Sequence, residues 1–290
     1  MSQDSSLPQT NGYFLDPESA AEMARLINLD RLTTRGMGGP LAGLPGTVAL
    51  SHVLDIACGP GGWVLDVAFA HPESEVAGID VSTTMIHYAN ARARSQQIGN
   101  ASFGLMDATH PLDFADNSFD LVNGRFLIGF LTRANWPPLL REGLRVLRPG
   151  GIMRLTETDV PGITSSPAFQ RYCDLTTALY ASYADGRSFS ADGKTYGIIP
   201  MLEPLLTDAG FVEIQRKDHS VDFSAGKESW AEICEANVVV FTLIKDALIS
   251  KHLITQQAFE DLLMRMHIEI RSDDFQGRWN YTTVWGTKPL

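Results

Sequence analysis

Short apolar runs alternate with helical segments between His52 and Asn123, and this alternation restricts the fold more than any other feature. Such a pattern predicts parallel strands that are joined by crossover helices. The predicted strands are residues 52–57, 75–80, 101–106, 119–124 and 152–159, and the predicted helices among them are residues 62–71, 83–98 and 134–147. The sequence therefore predicts an α/β fold with a mostly parallel central sheet.

The alternation breaks after the fifth predicted strand. Helical patterns follow at 166–183 and 201–209, and two β-rich stretches (211–223 and 278–288) enclose further helical patterns at 227–250 and 255–272. We expect one core covered by accessory helices. The predicted divisions are a lid of helices (1–48), a core (49–160), a cap insertion (161–209) and a last part (210–290) with two strands and inserted cap helices at about 225–273.

The charge balance argues against a nucleic-acid or membrane-surface protein. The chain of 290 residues has a formal net charge of −11 and no run of basic residues. Binding to a phosphate backbone or an anionic membrane depends on clustered Lys and Arg. We therefore expect a small-molecule partner, with no nucleic acid and no membrane, and a homodimer is left open as the assembly.

The cellular location is predicted from two features that the sequence does not show, a secretory signal and a membrane-spanning segment. Its first residues contain no basic segment followed by an apolar stretch, and its longest apolar run, 236–244, is far shorter than the ~20 residues that span a bilayer. Cys58, Cys173 and Cys234 lie far apart and show no zinc-type spacing. We expect reduced thiols, a cytoplasmic location and no metal.

The most informative segment is residues 53–62, where a strand enters a glycine-rich turn and then a helix. Gly59 and Gly61 let the backbone approach a ligand closely, and the helix N-terminus offers N–H groups. The turn follows the carboxyl end of a predicted parallel strand, where open α/β sheets bind ligands. A tight structural connection would use glycine as well, so the interpretation depends on companion residues.

Three carboxylates accompany three successive predicted strands. Asp55 lies in the first strand, and Asp80 closes the second about 20 residues after the turn, a position from which a carboxylate accepts ribose hydroxyls. Asp107 follows the third strand, where it could accept a hydrogen bond from an adenine amino group. Each alone fits a solvated surface, but together they outline an adenosine site.

Over residues 50–158 the sequence resembles the class I S-adenosylmethionine-dependent methyltransferases, particularly the small-molecule group with the ubiquinone and menaquinone biosynthesis enzymes. The matching segments are the glycine turn (53–62), the ribose-binding strand end (78–82), the adenine clamp (106–108), the fourth strand (119–122) and the turn before the fifth (144–151). The resemblance implies a Rossmann-like, seven-stranded, mostly parallel sheet with helices on both faces, an antiparallel last strand and a helical cap.

The resemblance also implies S-adenosylmethionine as the cofactor. Asp55 stands in the acidic place of the first motif, and Tyr13 belongs to an N-terminal lid. The implied cofactor-binding residues are Tyr13, Asp55, Ala57, Gly59, Pro60, Gly61, Asp80, Val81, Met85, Met106, Asp107, Ala108, Asn123 and Arg125.

Two alternative functions stay open at this point. A NAD(P)-dependent oxidoreductase is disfavoured because its fingerprint would place a third glycine at Val64, and because pyrophosphate would lie near Asp55. A non-catalytic S-adenosylmethionine-binding protein would bind the cofactor without turnover.

The implied reaction is in-line methyl transfer to a small, apolar or aromatic metabolite, for example a secondary metabolite or a quinone-like compound. Holding the nucleophile near the methyl carbon supplies most of the catalysis, and a hydroxyl or acidic carbon would also need a base. The candidate bases are Glu157, Asp159, His219 and His267, and the candidate acceptor-binding residues are Tyr180, Tyr183, Tyr196 and Trp230. For each candidate base an ordinary structural role is the favoured explanation, and core packing explains many of the aromatic residues equally well.

Overall fold

The computed structural model describes residues 18–44 and 50–290. Its strands are β1 (His52–Ile56), β2 (Glu75–Asp80), β3 (Ala101–Leu105), β4 (Phe119–Arg125), β5 (Leu147–Glu157), β6 (Ile163–Thr164), β7 (Val212–Asp222) and β8 (Gly277–Thr287). Its helices are α1 (Ala20–Met37), α2 (Gly62–Ala70), α3 (Thr83–Ser95), α4 (Trp136–Val146), α5 (Pro167–Ala181), α6 (Ile199–Ala209), α7 (Trp230–Leu243), α8 (Lys245–Ser250) and α9 (Gln256–Glu269).

One mixed sheet contains all eight strands, in the order β3-β2-β1-β4-β5-β8, with β7 and β6 also paired to β8. The strands from β1 to β5 pair in parallel, whereas β8 is antiparallel to β5, β6 and β7. The predicted α/β class and antiparallel last strand are therefore confirmed. The sequence did not predict β6, because two residues are too few to produce an alternating pattern.

Side chains of successive strand residues point to opposite faces, so each strand contributes to two apolar layers. Val53, Leu121 and Ile152 pack on the face covered by α2 and α3. Their neighbours Leu54, Val122 and Met153 pack on the face covered by α4 and α6. Helices therefore cover both faces, as a mostly parallel sheet requires.

A third apolar cluster joins α1 to α5, α7, α8 and α9 above one edge of the sheet. Helix α6 contacts α4, β7 and β8 instead. We call α5, α7, α8 and α9 the cap. The predicted cap insertion, 161–209, thus contains α5, which belongs to the cap, and α6, which covers the sheet. Among the described helices, none has both the length and the apolar composition that crossing a bilayer requires.

Most predicted boundaries lie within three residues of those in the structure, and two predicted elements differ more. Strand β5 begins at Leu147 instead of residue 152, because residues 148–151 form a bulge that pairs irregularly with β4 and bonds through Gly150 N–H to the Lys288 carbonyl (2.9 Å). The predicted helix 227–250 is broken at Ile244 into α7 and α8.

Candidate functional site

A cavity of about 310 Å³ lies between the carboxyl ends of the strands and helices α1, α5 and α7. Its acidic end, as we name it, is formed by residues at and just after the carboxyl ends of β1, β2 and β3, including Asp80 and Asp107. Its aromatic end is formed by residues from the cap, the β4–α4 connection and β8, including Phe126, Tyr180 and Trp279. The volume is in the range of small-molecule and cofactor sites.

The turn after β1 is fixed by the strand beside it. Asp80 accepts hydrogen bonds from Gly59 N–H through Oδ2 (2.8 Å) and from Ser82 N–H through Oδ1 (2.9 Å). Gly59 has a φ of 52°, a left-handed conformation that favours glycine. Asp80 therefore holds the glycine turn against the end of β2, and burial raises the pKa of its carboxyl.

Gly61 has a packing role. A Cβ at this residue would lie 2.6 Å from Phe103 Cε1 and 2.8 Å from the Ala89 side chain, so only glycine lets α2 approach β3 and α3. Gly61 does not line the cavity, whereas Gly62 does. The side chain of Asp30 covers Gly62 so closely that a Cβ would lie 1.7 Å from Asp30 Oδ2.

Asp107 lies at the more open part of the acidic end. Its Oδ1 accepts from Thr109 N–H (2.9 Å) and Thr109 Oγ1 (2.7 Å). Burial opposes ionisation, but these bonds and His110 hold the pKa of Asp107 below its usual value. The carboxylate is therefore charged and oriented at neutral pH.

Asp55 is buried at the base of the acidic end. Its Oδ1 accepts from Asn123 Nδ2 at 2.7 Å, and burial raises its pKa to about 7, against the attraction of Arg125. Arg125 Nη2 in turn bonds Asp30 Oδ1 at 2.5 Å, which connects β4 to α1. The charges at this end are thus partly balanced within the protein.

The structure brings most of the implied cofactor-binding residues together. Those that line the cavity are Asp55, Ala57, Gly59, Pro60, Asp80, Val81, Met85, Met106, Asp107, Ala108 and Arg125. Gly61 and Asn123 lie behind this wall, where they pack and support it. Tyr13 lies outside the described residues.

Two of the four candidate acceptor-binding residues reach the aromatic end. The rings of Tyr180 and Tyr196 line it with their centroids 4.6 Å apart. Tyr183 does not, because its ring lies beside the cationic groups of Arg187 and Lys251. Trp230 packs in the cap and donates from Nε1 to the Ile270 carbonyl (2.9 Å).

The two carboxyl candidates for a base face backbone instead of the cavity. Glu157 is fully buried, and it accepts from the backbone N–H of Leu127 (2.7 Å) and Ile128 (3.4 Å). Asp159 Oδ1 accepts from the N–H groups of Ile198 (2.8 Å) and Ile199 (3.2 Å), where α6 begins. Both side chains therefore hold neighbouring loops in place.

The two histidine candidates also lie away from the cavity. His219 on β7 stacks on Tyr281 at 5.2 Å and shares a hydrogen bond with Thr283 Oγ1. Burial lowers the pKa of His219 to about 4. His267 on α9 interacts with Arg271 at a partly exposed position. Neither histidine lines the cavity.

Helix α1 contributes cavity residues that the sequence did not indicate. Arg25, Leu26, Leu29 and Asp30 all line the space between the two ends. Arg25 forms an ion pair with the buried carboxylate of Glu22 (2.6 Å). An amphipathic helix has many polar residues, and no local signal marks those that turn inward.

The acidic end fits S-adenosylmethionine by its set of acceptor groups. Asp80 and Asp107 supply carboxylate acceptors to the cavity, and Met85, Met106 and Ala108 supply apolar surface beside them. Asp55 adds a third carboxylate at the base of this end. Val64, where a dinucleotide fingerprint would have glycine, is wholly buried.

Comparison with known proteins agrees with this geometry. Residues 53–151 match the family model described as a methyltransferase domain. The chain is 28% identical to the demethylmenaquinone methyltransferase of Lactococcus lactis subsp. lactis over 199 residues (66% of this chain, 75% of that one). It is 29% identical to the demethylmenaquinone methyltransferase of a Geobacillus species over 181 residues (59% and 75%).

A solved structure shares the fold. The YcgJ protein from Bacillus subtilis aligns with a TM-score of 0.54 and 15% identity, covering 91% of this chain and 99% of that one. The family match, the relatives and the cavity agree on the cofactor and on the kind of reaction. The chain therefore carries a methyltransferase domain, and it is similar to S-adenosylmethionine-dependent methyltransferases of the small-molecule type.

Proposed function

We propose that the methyl acceptor is a small, apolar or aromatic metabolite that binds at the aromatic end of the cavity. The observation that carries this proposal is the composition of the wall, to which Phe126, Phe130 and Trp279 contribute rings and Ile233 and Val240 contribute aliphatic groups. Such a surface favours an acceptor that buries apolar area.

The polar groups of this wall support the same conclusion. Tyr172 donates its hydroxyl hydrogen to Asn237 Oδ1 (3.0 Å), and Asn237 donates to the Ile233 carbonyl (2.9 Å). Thr176 donates to the Tyr172 carbonyl (2.9 Å). A strongly polar acceptor would leave its own groups without partners, at a cost of about 1–3 kcal/mol for each.

The residues at the acidic end would hold the cofactor, which supplies an electrophilic methyl group on a sulfonium when it is bound. In the proposal, Asp80 accepts from the ribose, Asp107 from the adenine amino group, and Asp55 from the ammonium. Helix α1 covers both ends of the cavity and excludes water from the space between them.

The proposal includes no general base from the protein. Among the described residues, the lining of the cavity contains no histidine, and its carboxylates belong to the acidic end or, as Asp30, pair with an arginine. Burial raises the pKa of Tyr180 above the usual value of 10, so its hydroxyl stays protonated at neutral pH and cannot act as a base. The acceptor must therefore be nucleophilic by itself, such as an enol or phenol that ionises near neutral pH.

Other features support the finer parts of the proposal. Relatives named demethylmenaquinone methyltransferases favour a quinone-like ring in the acceptor, and a role in secondary metabolism is compatible with it. The cysteines are free and buried, which favours the reducing cytoplasm. A homodimer stays a prediction that light scattering of the purified protein would test.

The test is transfer of a labelled methyl group from S-adenosylmethionine to matched acceptors. A hydroxynaphthoquinone should be methylated, and the same compound carrying a sulfonate should react at least ten times more slowly. The rate should rise with the ionisation of the acceptor when its acidity is varied by substitution. Preference for a small, polar amine over the fused-ring compounds would overturn the proposed acceptor class.

A further inference from the structure

Three polar side chains form a row across the centre of the sheet. Asp55 on β1 pairs in register with Asn123 on β4, and Asn123 pairs in register with Arg154 on β5. Because paired residues of neighbouring strands point to the same face, the three side chains lie side by side. They are 2%, 0% and 0% exposed. A buried polar row in an otherwise apolar layer needs a physical reason.

Hydrogen bonds join the row in a defined direction. Arg154 Nη1 donates to Asn123 Oδ1 at 2.6 Å, and Asn123 Nδ2 donates to Asp55 Oδ1 at 2.7 Å. An arginine has donors and no acceptor, so it requires the amide oxygen of Asn123 on its side. The amide NH₂ group then has to face Asp55. Arg154 therefore determines that Asp55 receives a donor, which stabilises the ionised carboxylate.

Arg154 is costly to bury in this position. Its Nη2 donates to the Ala42 carbonyl (3.3 Å), while its Nε has no hydrogen-bond partner among the described residues. No described carboxylate forms an ion pair with Arg154, although the effective cost of burying a cation is several kcal/mol. The carboxylate to which its hydrogen bonds lead is that of Asp55, through Asn123.

We infer that Arg154 is a positioning residue for cofactor binding: acting through Asn123, it keeps the Asp55 carboxylate charged and oriented toward the cavity. This inference rests on the proposed role of Asp55 toward the ammonium of S-adenosylmethionine. One oxygen of Asp55 belongs to the row, and the residue lines the cavity at the acidic end.

The charges around Asp55 are consistent with this role. Burial raises its pKa to about 7, while Arg125 on β4, the hydrogen bond from Asn123 and Arg154 on β5 oppose that rise. The charge of Asp30 on α1 also raises the pKa of Asp55, and Asp30 forms an ion pair with Arg125. Removing Arg154 therefore takes away a charge and a hydrogen-bond direction that both favour ionised Asp55.

The experiment measures the dissociation constant of S-adenosylhomocysteine by titration calorimetry between pH 5.5 and 8.5. This probe has the same methionine part and no reactive methyl group. In the wild type, binding should tighten as the pH rises and level off above about 7. In Arg154→Met, the midpoint should move upward by about one pH unit. Binding would then be about tenfold weaker at pH 6 and within about twofold of wild type at pH 8.5.

Matched variants separate this effect from a general loss of packing. Arg154→Lys keeps the charge and a donor and should restore a midpoint near that of the wild type. Arg148→Met removes another arginine of β5, one that bonds Asp120, and should keep the wild-type profile. Asn123→Ser interrupts the row while Arg154 remains, so it tests the inference even where Arg154→Met does not fold.

Two results would overturn the inference, and they differ in what else they affect. A wild-type affinity that does not change with pH would also remove the proposed role of Asp55. The other result is a wild-type affinity that depends on pH while the midpoint is not shifted in Arg154→Met and Asn123→Ser, whether their affinity is unchanged or weaker by the same factor at every pH. That result would overturn the positioning role alone.

Discussion

Arg125 at the end of β4 and Asp30 in the middle of α1 form an ion pair of 2.5 Å whose side chains are 11% and 15% exposed. The pair connects the helix that covers the cavity to the strand that forms its base. Arg125 also bonds Thr34 Oγ1 at 3.3 Å. The position of α1 over the acidic end of the cavity is thus maintained by this ion pair as well as by apolar contacts.

Breaking this pair should destabilise the protein. Arg125→Met leaves Asp30 and Asp55 near each other without their common cation, so the free energy of unfolding should fall by about 3 kcal/mol. Urea denaturation at pH 7.5 measures this change. Arg35→Met is the matched control, because Arg35 pairs with Glu228 and Glu232 at the surface and should cost less than about 1 kcal/mol. Equal losses in both variants would contradict the prediction.

Filling the aromatic end should affect the acceptor and not the cofactor. Ala236 on α7 lines the cavity, whereas Ala231 on the same helix is exposed. Ala236→Trp should raise the Michaelis constant for the acceptor at least tenfold and leave the affinity for S-adenosylhomocysteine within twofold. Ala231→Trp should change neither. Loss of cofactor affinity in Ala236→Trp would show that the two ends of the cavity are not assigned correctly.

Glu157 should influence stability with pH and not the methyl transfer. Burial raises its pKa well above 4.5, so the folded protein keeps a proton that the unfolded chain releases. This contribution makes the protein less stable as the pH rises above 4.5, by up to about 1.4 kcal/mol per pH unit. Glu157→Gln lacks that loss, so its stability relative to wild type should increase from pH 5 to 8 in urea denaturation.

Glu157→Gln also tests whether Glu157 has a structural role or acts as a general base. Glu157→Gln keeps an oxygen for the shorter hydrogen bond, from Leu127 N–H, and loses only the long one from Ile128 N–H, so its methyl transfer rate should stay within about threefold of wild type. A loss of a hundredfold or more, the size expected for a missing general base, would show that Glu157 acts in the reaction.

Asp80 should be essential for the affinity of the cofactor site. Asp80→Asn removes the charge that accepts from Gly59 and Ser82, and charged hydrogen bonds of this kind contribute about 1.5–3 kcal/mol. The dissociation constant of S-adenosylhomocysteine at pH 8 should therefore rise by a factor of about 10 to 100. Asp113→Asn, at an exposed position, should bind like the wild type. Unchanged affinity in Asp80→Asn would argue against the proposed ribose contact.

The sequence predicted the first half of the fold well because each signal there is local. The alternation of apolar runs locates β1 to β4, and the glycine turn locates the start of α2. The acidic residues Asp55, Asp80 and Asp107 come together because carboxyl ends of parallel strands share one edge. Because β1, β2 and β3 are parallel neighbours in the sheet, residues at their carboxyl ends have to lie near one another.

The aromatic end depends on contacts between distant segments, so the sequence predicted it less well. Tyr183 and Trp230 share the ring chemistry of Tyr180 and Tyr196, and only the packing of the cap determines which of them face inward. Glu157 and Asp159 lie at and just after the end of β5, as a catalytic carboxylate would. Backbone N–H groups of the next loops satisfy them instead.

Strand β8 joins β5, β6 and β7, and it is separated from β5 along the chain by the cap helices and β7. Its pairing has to close a very long loop, which slows the formation of such contacts. Strands β1, β2 and β3, which carry the acidic end, pair over much shorter separations, as His52 with Glu75 and Val76 with Ala101. The two ends of the cavity should therefore be acquired at different times as the chain folds, with the acidic end formed first and the aromatic end completed when β8 docks.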